Sequence, residues 1–87
     1  MPVRAIRINP IDNVAIVTAD VTEGDLVRVD GAIDLRAAEA VPRGGKIALT
    51  SIPAGEAVFR YGEEIGVATA DIRAGQHVHT HNLGGGK

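Results

Sequence analysis

The sequence predicts an all-β domain, and three observations predict it. Valine and isoleucine number nineteen against four leucines, and β-branched side chains lose rotamer freedom in a helix while packing well on a pleated surface. Eleven glycines and four prolines interrupt the chain at short intervals, the punctuation of short strands joined by turns. The one stretch with helical propensity, Leu35-Arg36-Ala37-Ala38-Glu39-Ala40, is shorter than an isolated helix requires and reads as a strand end or a single turn.

Taken in order, residues 4–8 alternate, with Ile6 and Ile8 on one face and Arg7 on the other, and predict a first strand. Asn9-Pro10 breaks it. Residues 13–19 contain the continuous apolar run Val14-Ala15-Ile16-Val17, the pattern of a strand covered on both faces. Residues 26–29 and 32–36 flank Asp30-Gly31, the strongest short hairpin signal in the chain. Val41-Pro42-Arg43-Gly44-Gly45 reads as a loop whose glycines permit positive φ. Strands over 46–50, 57–61, 64–70 and 77–81 complete the set, and the tail 84–87, Gly84-Gly85-Gly86-Lys87, has nothing to bury and is expected to be mobile.

One device recurs three times: a β-branched residue, two spacers, a glycine, two more residues, then valine. It appears at Val21 to Val27 around Gly24, at Ile52 to Val58 around Gly55, and at Ile72 to Val78 around Gly75. A branched side chain anchors in the core, a tight turn takes positive φ at glycine, and a new strand leaves in a fresh direction. Three such corners imply short strands folded over one another. Gly24, Gly55 and Gly75 are therefore read as structural.

At 87 residues and 9.0 kDa there is room for one domain only. A domain of this size has a small core and is often supplemented by assembly. The absence of cysteine excludes a disulfide framework, a zinc–thiolate site and a thiol nucleophile. Nine Lys and Arg are interspersed with eleven Asp and Glu for a net charge of −2, which offers no basic patch for nucleic acid or an anionic membrane. No apolar run approaches the ~20 residues of a membrane span, and the first ten residues lack the apolar region of a secretory signal. A soluble, cytoplasmic domain is the expectation.

Chemistry concentrates in two places. His77, His79 and His81, two residues apart, would share one face of a strand. There they could ligate a divalent metal or act as general acid and base, or stand as solvated histidines on an edge strand. One strand supplies at most part of a coordination sphere. Lys46, following Gly44-Gly45 at a strand entrance, could hold a carboxylate or hydroxy acid, or be a solvated lysine. Arg60-Tyr61-Gly62 brings together a guanidinium, a phenol and a flexible turn, and Tyr61 could orient a ligand or merely cap the core.

The blocks Lys46-Ile47-Ala48-Leu49, Arg60 to Gly66 and Ala70 to Leu83, with Asp12-Asn13-Val14-Ala15 near the start, resemble the SAF domain of the altronate/galactarate dehydratase family over nearly the whole chain. The resemblance implies a β-clip fold spanning residues 1–83. It implies a small subunit working with a separate large dehydratase-type subunit, or the counterpart of a domain that precedes a large catalytic one. Such lyases dehydrate sugar acids such as altronate or galactarate to 2-keto-3-deoxy acids with a divalent metal, iron or manganese. A relative, the small subunit of sulfolactate sulfo-lyase, eliminates sulfite instead. By the resemblance, Lys46, Tyr61 and His79 are catalytic candidates and His77, His79 and His81 metal candidates, with the metal shared with the large subunit. The family usually has Gly-His-Lys where this chain has Gly44-Gly45-Lys46, so one histidine is missing. The alternative is a non-catalytic SAF binding or assembly module, like the SAF domains of flagellar chaperones and antifreeze proteins. Open β edges in so small a domain also imply that the isolated chain forms a homo-oligomer.

Overall fold

A computed structural model describes residues 2–85; Gly86 and Lys87, half of the tail expected to be mobile, lie outside the described residues. The fold is all-β, with no helix among the described residues. The strands are β1 (Val3–Ile6), β2 (Val14–Val17), β3 (Leu26–Val29), β4 (Ile33–Arg36), β5 (Lys46–Ala48), β6 (Ala57–Arg60), β7 (Glu63–Ala68), β8 (His77–Val78) and β9 (Leu83–Gly84). Six form one sheet in the order β4-β3-β1-β2-β5-β8, and three form a second in the order β6-β7-β9. All neighbours are antiparallel except β1 and β3.

The glycine corners build this arrangement, and there are four. Gly24, Gly55 and Gly75 each have φ of 90°, and Gly44 has 81°. The fourth corner, Val41-Pro42-Arg43-Gly44-Gly45-Lys46-Ile47, repeats the device but reads in sequence as a plain loop. In every copy the glycine is the third residue of a β-turn, closed by Asp25 N–H to Thr22 O, Gly45 to Pro42, Glu56 to Pro53 and Gln76 to Arg73, at 2.8–3.0 Å. The corners pair: Val21 bridges Val41 and Ile52 bridges Ile72. All four anchors are at most 2% exposed, so each bridge sits at the centre of a core cluster. One cluster joins Ala5, Ala15, Val17, Val27, Val29, Ala37 and Ile47 around Val21 and Val41. The other joins Val14, Ala48, Val58, Ala68 and Val78 around Ile52 and Ile72. Each corner strand thereby buries its alternate residues on the bridge it springs from.

Three expectations are corrected. The first strand ends at Ile6, and its faces are reversed: Ala5 is buried while Ile6 and Ile8 are 47% and 61% exposed. Ala5 sits between Val17 of β2 and Val29 of β3, both members of the first core cluster, and so takes the inward face of the strand. The strand expected over 77–81 stops at Val78. Gly84, expected in the tail, instead pairs with Val67 in β9 and lies there against the backbone of Gly66.

The hairpin between β3 and β4 turns on Asp30 (φ 53°) and Gly31 (φ 72°) as expected, and Tyr61 (φ 58°) and Gly62 (φ 78°) do the same between β6 and β7. Within the chain β4 and β8 pair on one side only, and β4 exposes three of its four residues, including Ile33. Uncovered edges of this kind recruit further strands. Light scattering of the isolated chain is expected to show self-association as concentration rises; a strict monomer would contradict this.

Candidate functional site

The histidines are organised by Asn82. Its side chain is buried, 7% exposed. Its Oδ1 accepts the His79 N–H at 2.9 Å, its Nδ2 donates to the His77 carbonyl at 2.9 Å, and its own N–H donates to the His79 carbonyl at 3.0 Å. An asparagine that satisfies three backbone groups competes with the sheet ladder and bends the chain. That is why residues 79–82 form a turn instead of extending β8. The imidazoles nonetheless remain together. His77 and His79 stack with centroids 5.4 Å apart and planes within 7°, and His81 tilts against His77 at 5.7 Å. His79 and His81 are exposed and His77 is half-buried. Burial pushes the His77 imidazole below its ordinary value, reinforced by His79 and His81, opposed by Glu39 and lowered further by Lys46. Glu39 also anchors the strand, its carboxylate accepting the His77 N–H at 2.9 Å.

This cluster is not by itself a metal centre. Among the described residues no group of three His, Asp or Glu side chains is placed to hold a metal ion. Parallel stacked rings do not converge their nitrogens on one point, as ligands at ~2 Å must. A metal here would need ligands from a second polypeptide.

Lys46 leaves the sheet on the other face. Its register partners are Ile16 and Val78, while His77 pairs with Ile47. Paired residues share a face and successive residues alternate. Lys46 therefore lies with Val14, Ala48 and Val78 on the side of the second core cluster, and His77 with Ala15 and Ile47 on the side of the first. The ammonium and the imidazoles are close, since they leave adjacent strands at the sheet edge, but they do not face one another. Burial lowers the Lys46 pKa, and the Arg60 guanidinium lowers it further.

Tyr61 is 54% exposed at its hairpin tip, with the Arg60 guanidinium 5.1 Å from its ring centre. The tip is clamped by Asp12 and Asn13, residues to which spacing assigned no role. The buried Asp12 carboxylate accepts N–H groups of Gly62 (2.8 Å), Tyr61 (2.9 Å) and Asn9 (3.1 Å). Asn13 accepts from Phe59 N–H at 2.8 Å and donates to the Ala57 carbonyl at 3.0 Å. Burial raises the Asp12 pKa, but the hydrogen bonds from Gly62, Asn9, Tyr61 and Ile8 outweigh it, and the carboxyl is held below its ordinary value. A carboxyl depressed in the folded state stabilises fully above its unfolded value near 3.9, and that contribution is lost as pH falls through the folded value. Asp12→Asn is thus expected to cost about 1–2 kcal/mol at pH 7, by turning an amide N–H toward backbone donors. It should also flatten the loss of stability as pH falls below the unfolded value of about 4, read as urea midpoints; an undiminished acid loss would place that titration elsewhere.

Gly45 adjoins the trio. A Cβ there would stand 3.3 Å from His77 Nε2, 3.0 Å from Val41 Cγ1 and 2.8 Å from the Pro42 carbonyl oxygen. The position at which the resemblance implied a histidine is thus next to His77, and a side chain there requires the corner to shift. A surface hollow of about 800 Å³, lined by Arg4, Ile6, Thr18, Arg28 and Asp30 among others, includes none of the candidate site residues.

Comparison with known proteins adds what geometry cannot. The family model described as the altronate/galactarate dehydratase SAF domain matches residues 3–85. The altronate dehydratase of Escherichia coli (strain K12) is 51% identical over 78 residues, covering 88% of this chain and 15% of that protein. The galactarate dehydratase (L-threo-forming) of the same organism is 37% identical over 73 residues, 84% of this chain and 14% of that protein. The (2R)-sulfolactate sulfo-lyase subunit alpha of Paracoccus pantotrophus is 46% identical over 48 residues, 55% of this chain and 72% of that subunit. The chain thus spans about one seventh of the length of the dehydratases it matches. Among the described residues no helix is long and apolar enough to cross a membrane.

Proposed function

The chain belongs to the altronate/galactarate dehydratase SAF-domain family, and from that premise we propose that it is the small subunit of a metal-dependent lyase acting with a separate large subunit. The substrate class is a hydroxylated carboxylic acid, either a sugar acid such as altronate or galactarate, or sulfolactate. The observation that carries this reading is the imidazole trio held by Asn82 at an open sheet edge, with Lys46 leaving the same edge. Groups on opposite faces of an edge can serve one substrate only if it lies across that edge. A domain of this size has no wall to close over it. Such a half-site needs a second polypeptide.

In the proposed reaction a base removes the proton next to the carboxylate, and the β-hydroxyl (or sulfite) departs. Lys46 attracts the carboxylate, and a bound anion would offset the burial and the neighbouring Arg60 charge that lower its pKa. His79 or His81, both exposed, donates the proton that converts a departing hydroxide to water. Tyr61 orients the acid from the hairpin tip. The divalent metal, iron or manganese, would take its remaining ligands from the large subunit. The test is reconstitution: the chain and a large dehydratase-type subunit should copurify and together turn over sugar acids, and a pair inactive on sugar acids and sulfolactate alike would sink the reading.

A second reading, a non-catalytic SAF binding or assembly module, is favoured by Gly45 beside His77 and by the lack of a convergent ligand set among the described residues. Calorimetric titration of the reconstituted pair with manganese separates the two. Micromolar binding lost on mutating the histidines supports the lyase, and no binding supports the module.

A further inference from the structure

We propose that Arg60 and Lys46 together form a binding site for one carboxylate of a small organic acid, with the Tyr61 ring over the guanidinium. The Arg60 Nε is buried and has no hydrogen-bond partner. A buried donor left unpaired costs about 1–3 kcal/mol, and a bound acceptor would satisfy it. Ion pairs among the described residues engage Arg7 with Asp30 and Arg28 with Asp34; Arg60 and Lys46 have none, although Glu63 is the cross-strand neighbour of Arg60. Two half-buried cations without an acid repel each other, and a bound anion relieves both the repulsion and the orphaned N–H.

The surrounding fold keeps the pair in place. Lys46 is on the sheet face that carries Val14, Ala48 and Val78, the cluster into which Val58 of β6 also packs. Asn13, next to β2, bonds Ala57 and Phe59 of β6 and so fixes the strand that carries Arg60. The guanidinium offers the planar fork that carboxylates accept in bidentate fashion, and the ammonium adds a point charge. Tyr61, on a two-residue turn and half exposed, keeps its ring against the guanidinium, 5.1 Å from its centre. Arg60 becomes a specificity residue for the acid, a role that spacing gave only to Lys46. The proposal rests on the lyase reading for the ligand being a hydroxylated acid, and on this chain alone for the binding.

The test is a titration of the isotopically labelled chain with tartrate at constant ionic strength, followed at the Arg60 Nε–H resonance in the parent chain and, in every variant, at the backbone amides of residues 46 and 61. A saturable shift is expected, weakened about tenfold or more in Arg60→Gln and in Lys46→Met, with Arg60→Lys between. The absence of a saturable shift, a shift indifferent to both variants, or equal affinity for inorganic sulfate would overturn the inference. So would tartrate binding that arises only after the large subunit is added, which would place the acid's site on that partner or between the two chains. Tartrate binding by the free chain with an inactive reconstituted pair would remove the lyase reading and leave this site standing.

Discussion

Replacing Gly75 with alanine is expected to cost about 3–5 kcal/mol, a large share of the stability of a domain this small, roughly 5–15 kcal/mol in all. Two effects add. The backbone at Gly75 has φ of 90°, where a side chain costs about 1–3 kcal/mol of strain. A Cβ there would also collide with the Arg36 carbonyl oxygen and stand 3.0 Å from the Ala38 nitrogen, and overpacking adds about 1–3 kcal/mol. Neither backbone can retreat, because Ala38 N–H bonds the Gly75 carbonyl and Gly75 N–H bonds the Ala48 carbonyl, both at 2.8 Å. Gly55 is the internal control. It has the same φ, but nothing lies within 4 Å of the added carbon, so Gly55→Ala is expected to cost only the strain, about 1–3 kcal/mol. Urea denaturation of the two variants measures the difference, and equal losses would show that the close approach at Gly75 is not what limits it.

The combined change His79→Ala and His81→Ala is expected to lower turnover by the reconstituted pair ~10²–10⁴-fold, the range for removal of a proton-transfer group. Both imidazoles are exposed and lie on a turn whose hydrogen bonds come from Asn82 and the backbone, so the thermal midpoint should barely move. Lys46→Met should act differently, raising KM for the acid more than it lowers kcat, because attraction of the carboxylate is spent on binding. Unimpaired turnover by the histidine variant would remove these side chains from the chemistry and leave the assembly-module reading in its place.

How much of this was legible beforehand follows from the range of each interaction. The Asp30-Gly31 hairpin and the corners at Gly24, Gly55 and Gly75 were readable, because a positive φ within a few residues is demanded locally and glycine announces it. The fourth corner was concealed by the double glycine at 44–45 and by isoleucine standing where the other copies have valine. The reversal of β1 was not readable. Isoleucines at 6 and 8 signal a buried face, but Ala5 lies between Val17 and Val29, neighbours 12 and 24 residues away. The turn after Val78 was half-visible, since Asn82 is a turn-forming residue; the histidine alternation masked it.

Residue types and short spacings alone determined the all-β class, the corner geometry and the clustering of histidines near the carboxyl terminus, because those depend on dihedral preferences and on neighbours a few positions apart. Only the assembled sheets decided that Lys46 and His77 leave opposite faces, that Asp12 reaches 49 and 50 residues along the chain to hold the Tyr61-Gly62 turn, and that Arg60 is left with an unpaired nitrogen. Each of these depends on strand register and on which sheet covers which. Side chains alternate faces with every residue, so a register difference of a single position reverses the answer.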